Sequence, residues 1–139
     1  MLRYLIDELK MMGIHLFHEE GTTYKTRNGN SVGIAYASER KPNRWFLGLP
    51  LKNYSSVVLI CEDNTGELSN FILPENFLNS NIGKLSHDEN EQVKFNILLK
   101  GENYQIRIPG EGYCNINNYK NNYTMACPGN LCGELQQEF

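Results

Sequence analysis

Short runs of β-branched and aromatic residues, separated by turn residues, recur along most of this 139-residue chain. Such runs are typical of β-strands, because branched and aromatic side chains pack well on a pleated surface. About seven runs have strand length, and they cover residues 22–27, 32–37, 44–49, 55–61, 68–73, 93–99 and 104–108. This spacing constrains the fold more than any other feature, since it leaves little room for helices between strands.

Turn residues indicate how the strands connect. Asn28-Gly29 predicts a hairpin with a type I′ turn, and residues 100–103 predict a second hairpin. No alternation of strands with helical segments occurs, so a doubly wound parallel sheet is not expected. The predicted fold is α+β and mainly β, with a curved, mostly antiparallel sheet or partial barrel. Gly33 and Ala35 are small residues on one face of a strand, where a ligand backbone is able to approach closely.

The first residues predict a helix that packs against this sheet. Their apolar side chains follow helical spacing, and Gly13 is a suitable C-cap. They are Leu2, Leu5, Ile6, Leu9 and Met12. Residues 1–125 are expected to form a single domain, followed by a tail at 126–139 that is predicted to be flexible.

Composition excludes several classes of protein. A hydrophobic content of 40% and a charged content of 21% are ordinary for a globular domain and argue against disorder. No apolar run approaches the roughly 18–20 residues that span a bilayer. Charged residues interrupt the N-terminal apolar segment, so no signal peptide is predicted. A cytoplasmic protein whose four cysteines are thiols is therefore expected.

Positive charge is concentrated between Gly21 and Cys61. This basic segment has six cations and one acid, Glu39, and so carries a charge of +5, although the whole chain carries −3. Local positive charge on an acidic protein is typical of a polyanion binder. The residues expected to contact DNA are Lys25, Arg27, Arg40, Lys41, Arg44, Trp45 and Lys52. The cations would neutralise phosphates, while Trp45 would offer a flat face to a base or else pack in the core.

The sequence contains partial motifs for two kinds of metal chemistry. Glu39-Arg40-Lys41 and Glu8-Leu9-Lys10 have the E-x-K spacing of restriction-type nucleases, in which the lysine positions the attacking water. No aspartate precedes Glu39 between Gly21 and Ser38 to supply a second magnesium ligand. Cys127 and Cys132 resemble half of a zinc knuckle, but two further ligands are missing. No catalytic residue, metal site or cofactor is therefore predicted.

The middle of the chain, roughly residues 32–78, contains a strand Arg44–Pro50, an apolar strand Val57–Cys61 and a third strand that ends at Pro74. This succession of strands resembles DNA-recognition domains of bacterial restriction and defence systems, of the B3-like or McrB N-terminal type. It implies sequence-specific or modification-dependent DNA binding.

The sequence therefore predicts a non-catalytic DNA-binding domain of a restriction or phage-defence system, acting with a separate effector domain or subunit. Double-stranded DNA is the favoured partner, and neutralising about five phosphates would give a salt slope near −4.5. The alternatives are a magnesium-dependent nuclease that uses Glu39 and Lys41, and an inhibitor or immunity module. An inhibitor or immunity module would bind a basic partner protein through acidic residues such as Glu62, Asp63 and Glu67.

Overall fold

A computed structural model describes residues 2–11, 15–85 and 89–122. Within these ranges the chain forms two helices, nine strands and two short 3-10 turns at 82–84 and 117–119. The helices are α1 (Leu2–Met11) and α2 (Glu75–Asn81). The strands are β1 (Leu16–Glu20), β2 (Thr23–Thr26), β3 (Ser31–Ser38), β4 (Arg44–Pro50), β5 (Ser56–Glu62), β6 (Leu68–Pro74), β7 (Gln92–Lys100), β8 (Asn103–Ile108) and β9 (Gly112–Asn115).

The strands form two sheets. The first sheet has the order β1-β2-β3-β5-β6, and the second has the order β4-β7-β8-β9. All neighbouring pairs are antiparallel except β3 and β5, which run parallel. The chain leaves the first sheet after β3, contributes β4 to the edge of the second sheet, and returns as β5 beside β3.

The main core lies between the two sheets. Its residues alternate along each strand, as the two-residue period of a strand requires. Leu59 and Phe71 from the first sheet, and Leu47 and Phe95 from the second, belong to this cluster and are fully buried or nearly so. A smaller cluster joins Leu5 and other α1 residues to the opposite face of the first sheet. The first sheet is therefore covered on both faces.

The mainly β and mostly antiparallel character predicted from the sequence is confirmed. The arrangement of strands differs from the expected single curved sheet of about seven strands, because the described residues form nine strands in two open sheets. The reason is the position of β4, which pairs with β7 and not with the strands on either side of it in the sequence.

The first predicted hairpin forms between β2 and β3, but its turn is not type I′. Gly29 has a positive φ of 85°, whereas Asn28 is not among the described residues with positive φ. The backbone N–H of Thr26 donates to the carbonyl of Asn30 at 2.9 Å, so three residues form the loop. A single left-handed glycine is sufficient for a three-residue loop. The second predicted hairpin is confirmed as β7–β8.

The space beside Gly33 is filled by the protein itself. A Cβ atom on Gly33 would lie 2.8 Å from Cε1 of Tyr54 and 3.0 Å from Cδ1 of Leu49. The Tyr54 hydroxyl donates to the carbonyl of Pro50 at 2.6 Å, which holds the ring in this place. The expectation that Gly33 admits a ligand backbone is therefore wrong.

Candidate nucleic-acid interface

The six predicted DNA-contacting cations lie in two groups at opposite ends of β3. Lys25, Arg27 and Lys52 lie near its start, since Lys52 reaches Thr23 of β2 at 3.3 Å. We call them the paired group. Arg40, Lys41 and Arg44 follow its end and are called the loop group. An eight-residue strand rises about 3.3 Å per residue, so the two groups are roughly 23 Å apart.

Two cations of the paired group already have carboxylate partners. Nζ of Lys25 lies 3.2 Å from Oε1 of Glu19, and Nζ of Lys52 lies 2.9 Å from Oε1 of Glu20. The hydrogen bond from Lys52 lowers the pKa of Glu20, and the same bond raises the pKa of Lys52. Both glutamates belong to β1, which lies outside the basic segment and pairs with β2. The pairing of β1 with β2 therefore brings Glu19 and Glu20 close to Lys25 and Lys52, whose positive charges have no acidic neighbour in the basic segment itself.

The loop group is carried by a tight turn. The backbone N–H of Arg44 donates to the carbonyl of Lys41 at 3.0 Å, with Pro42 and Asn43 between them. Asn43 has a φ of 62°, and proline followed by a left-handed residue is typical of a type II turn. The carbonyl of Asn43 accepts from the backbone N–H of Leu99 at 2.9 Å, which anchors the turn to β7.

Glu39 holds this loop in place. Its Oε2 atom accepts the backbone N–H of Asn43 at 2.7 Å, and its Oε1 atom accepts the backbone N–H of Asn64 at 3.2 Å. The carboxylate thus joins the β3–β4 loop to the β5–β6 turn. Both oxygens serve the backbone, so a structural role accounts for Glu39. The part of the chain that the structure describes has no group of three or more acidic, histidine or cysteine side chains placed to hold a metal ion.

Other acids beside the loop group also accept from neutral donors. Glu62 accepts from the hydroxyl of Tyr36. Asp63 accepts from the hydroxyl of Thr65 at 2.6 Å and from the backbone N–H of Glu67 at 3.0 Å. The Thr65 hydroxyl lowers the pKa of Asp63. The ion pairs found within residues 2–11, 15–85 and 89–122 include those of Lys25, Lys52 and Lys84, and none of them involves the loop group.

Trp45 packs in the core, as one of the two interpretations of its sequence position predicts. Its side chain is 1% exposed, and its Nε1–H donates to the carbonyl of Glu62 at 2.9 Å. The ring centroid lies 5.9 Å from that of Tyr104. No face of the indole is open to a base, and Trp45 instead fixes the strand on which its neighbours Arg44 and Phe46 point outward.

The outward side of the second sheet gathers residues that sequence analysis did not assign to a site. In β4 the buried residues Trp45, Leu47 and Leu49 alternate with exposed ones, and paired positions on β7, β8 and β9 continue the same face. We call this surface the open face. Its side chains are those of Arg44, Phe46, Pro50, Gln92, Lys94, Asn96, Leu98, Lys100, Asn103, Gln105, Arg107, Tyr113 and Asn115.

A shallow groove crosses the middle of the open face. Its lining includes Arg44 and Phe46 from β4, Asn96 from β7, Arg107 from β8 and Tyr113 from β9. Phe46 is 47% exposed and Tyr113 is 51% exposed. The alternation of polar and apolar residues in β7 could have revealed this face, but nothing local to the sequence indicates that β7 lies beside β4.

The cysteines fall into different environments. Burial raises the pKa of the Cys61 thiol to about 12, which makes it a poor metal ligand or nucleophile. Cys114 is a partly buried free thiol on β9. Cys127 and Cys132 lie outside the described residues, as does the whole predicted tail.

No protein-family model matches this chain, and no curated protein matches it. Among the described residues, neither helix has the length and apolar character required to cross a bilayer.

Proposed function

We propose that this protein is a non-catalytic DNA-binding module in which the loop group makes the principal phosphate contacts. The observation that carries the proposal is the state of Arg40, Lys41 and Arg44. They are exposed and adjacent, and they have no carboxylate partner among the described residues, while the acids around them accept from backbone and hydroxyl donors. Exposed cations that have no carboxylate partner are suited to bind phosphate groups.

The geometry of the turn supports this role. Arg44 extends from a strand whose neighbour Trp45 is fully packed, so the direction of Arg44 is set by the sheet. Arg40 and Lys41 lie on a loop that Glu39 and the carbonyl of Asn43 hold at two points. Cations on an ordered loop lose less conformational entropy on binding than cations on a flexible one. The loop is therefore suited to follow a sugar–phosphate backbone.

The two groups of cations should contribute unequally. Lys25 and Lys52 must exchange glutamates for phosphates, which cancels part of the gain in binding free energy. Arg27 and the loop group have no carboxylate partner to give up within the described ranges. Four phosphate contacts predict a slope of log K against log salt near −3.6, less steep than the value near −4.5 expected from the sequence. The setting in a restriction or phage-defence system stays a prediction from resemblance.

The test compares two double variants that remove the same charge. Arg40→Gln with Lys41→Gln should weaken binding to a short DNA duplex roughly tenfold or more at about 100 mM salt and flatten the salt slope by about 2. Lys25→Gln with Lys52→Gln should change affinity less than about threefold. Fluorescence anisotropy at several salt concentrations measures both quantities.

Two results would contradict the proposal. One is the absence of any binding to DNA, duplex or single-stranded, at low salt by the wild-type protein. The other is an equal loss in the two double variants, which would mean that total charge alone matters. Thermal unfolding of each variant serves as the control for folding, and little change is expected because all four side chains lie at the surface.

A further inference from the structure

The charged side chains of the open face are all positive. Every outward position of the open face that carries charge carries a cation, namely Arg44, Lys94, Lys100 and Arg107, and none is occupied by aspartate or glutamate. All these strand positions belong to the described residues. The chain has 16 acidic residues against 13 basic ones, so an acid-free face across four strands is not what its average composition would produce. The face is complementary to a polyanion.

Two aromatic rings interrupt this charged surface. Phe46 and Tyr113 lie on the two edge strands, and Asn96 and Arg107 lie between them on the central strands. Three strand spacings of about 4.8 Å separate the rings by roughly 14 Å. Rings held in water on a rigid sheet, with their inward neighbours packed in the core, are platforms onto which flat ligands can stack.

The two aromatic rings favour single-stranded over double-stranded nucleic acid. In a duplex the faces of the bases are covered by neighbouring bases, so the rings would find only base edges and backbone. In an unpaired strand the faces are free, and sheet-borne aromatic residues in single-strand-binding modules stack about two or three bases. Arginine beside the rings adds phosphate contacts or stacks on a base itself.

The open face is also continuous with the loop group. Arg44 belongs to both, and the bond from the Leu99 backbone N–H to the carbonyl of Asn43 places the turn beside the end of β7 that carries Lys100. A strand whose bases lie in the groove therefore has cations along its path beyond the rings.

We infer that the open face binds a single-stranded segment of nucleic acid, with bases stacked on Phe46 and Tyr113 and phosphates bound by Arg44, Arg107 and Lys100. This inference rests on the proposed function and narrows its ligand from the duplex favoured by the sequence to unpaired nucleotides.

The experiment uses three labelled DNA probes of the same sequence length, about 15 nucleotides, which is within the usual range of a single-strand site. One probe is a single strand, one is that strand annealed to its complement, and one is an abasic strand with the same number of phosphates. The wild-type protein should bind the single strand roughly tenfold or more tightly than the abasic strand, because only the former can stack.

Phe46→Leu and Tyr113→Leu are the informative variants. Leucine keeps an apolar side chain of similar reach but removes the flat ring. Each variant should weaken binding of the single strand about tenfold and leave the abasic strand unchanged. Phe17→Leu is the matched control, since Phe17 is 56% exposed but lies on β1, the edge strand of the first sheet. It should change neither affinity.

The outcomes separate the inference from the proposed function. Equal affinities for the single and abasic strands, or a single-strand affinity unchanged by both Phe46→Leu and Tyr113→Leu, would overturn the inference. If the duplex still binds with a salt slope that depends on Arg40 and Lys41, the proposed function survives that result. If none of the three probes binds at low salt, both fail, and an acidic protein partner would then be the occupant to examine.

Discussion

The two sheets of this protein differ in how many of their faces water reaches. The first sheet is covered on one side by α1 and on the other by the second sheet, and in β5 every residue from Ser56 to Cys61 is buried. The second sheet is covered on one side alone, so β4 alternates between buried and exposed positions along its length. β4 and β5 are consecutive in the sequence, yet β5 is buried on both faces and β4 on one face only.

This difference gives the residues of the two sheets different expected contributions to stability. Each residue of the first sheet that faces a neighbouring layer contributes apolar burial, and its substitution is expected to affect folding first. The outward residues of the second sheet contribute little burial, so their identity is free to serve a ligand. Arg44 and Phe46 are examples, because each lies directly beside a core residue yet points into solvent.

The largest effect is expected when the same substitution is made in each sheet. Phe71→Ala removes a fully buried ring that packs 4.9 Å from the ring of Tyr104, and it should lower the free energy of unfolding by about 3–5 kcal/mol. Phe46→Ala removes a half-exposed ring and should cost about 1 kcal/mol or less. Urea unfolding followed by circular dichroism measures both values.

A similar cost at the two positions would break the comparison. It would mean that the outer rings are part of the protein's stabilising core and are not held ready for a ligand.

Sequence periodicity predicted most of the strands but not their assignment to two sheets. Local composition is enough to predict that a segment forms a strand, as the runs at 55–61 and 93–99 illustrate. Pairing depends on which faces must be buried. The continuous apolar run of β5 indicates burial on both faces, while the alternation in β4 indicates one open face. That contrast was present in the sequence, and it is the signal that separates the sheets.

The candidate site was predictable only in part. Arg40, Lys41 and Arg44 are close in the sequence, so their proximity follows from the chain itself. The partners of Lys25 and Lys52 depend on the pairing of β1 with β2. Arg107 joins Phe46 through two further strand pairings, and Tyr113 joins it through three. Long-range register of this kind leaves no trace in local composition.

A smaller effect is expected from adding one methyl group to each sheet. Gly33→Ala places a Cβ atom 2.8 Å from the Tyr54 ring, and the resulting overpacking should cost up to about 3 kcal/mol. Gly48→Ala places its Cβ atom no closer than 3.6 Å to the carbonyl of Val93 and should be neutral or stabilise by about 0.5 kcal/mol. Melting temperatures of the two variants give the comparison directly, and a destabilised Gly48→Ala would show that the second sheet is packed on both sides.

The two described cysteines provide the last test, because one lies in each sheet. Burial raises the pKa of Cys61 in the folded protein to about 12, above its ordinary value of 9.0. The unfolded chain therefore loses this proton first as the pH rises. The resulting stability is fully present below about pH 9 and falls by about 1.4 kcal/mol per pH unit between about pH 9 and pH 12.

Between about pH 8.5 and 10.5 the wild type should lose roughly 2 kcal/mol more stability than Cys61→Ala. Urea unfolding under reducing conditions at both pH values measures the difference, and tyrosine and lysine titration is shared by the two proteins. Cys114→Ala is the control on the second sheet, and its pH dependence is compared in the same way. If Cys61→Ala loses as much stability as the wild type across this range, the thiol ionises as readily in the folded state as in the unfolded one. The interior of the first sheet would then be open to water, and the contrast with the second sheet would no longer hold.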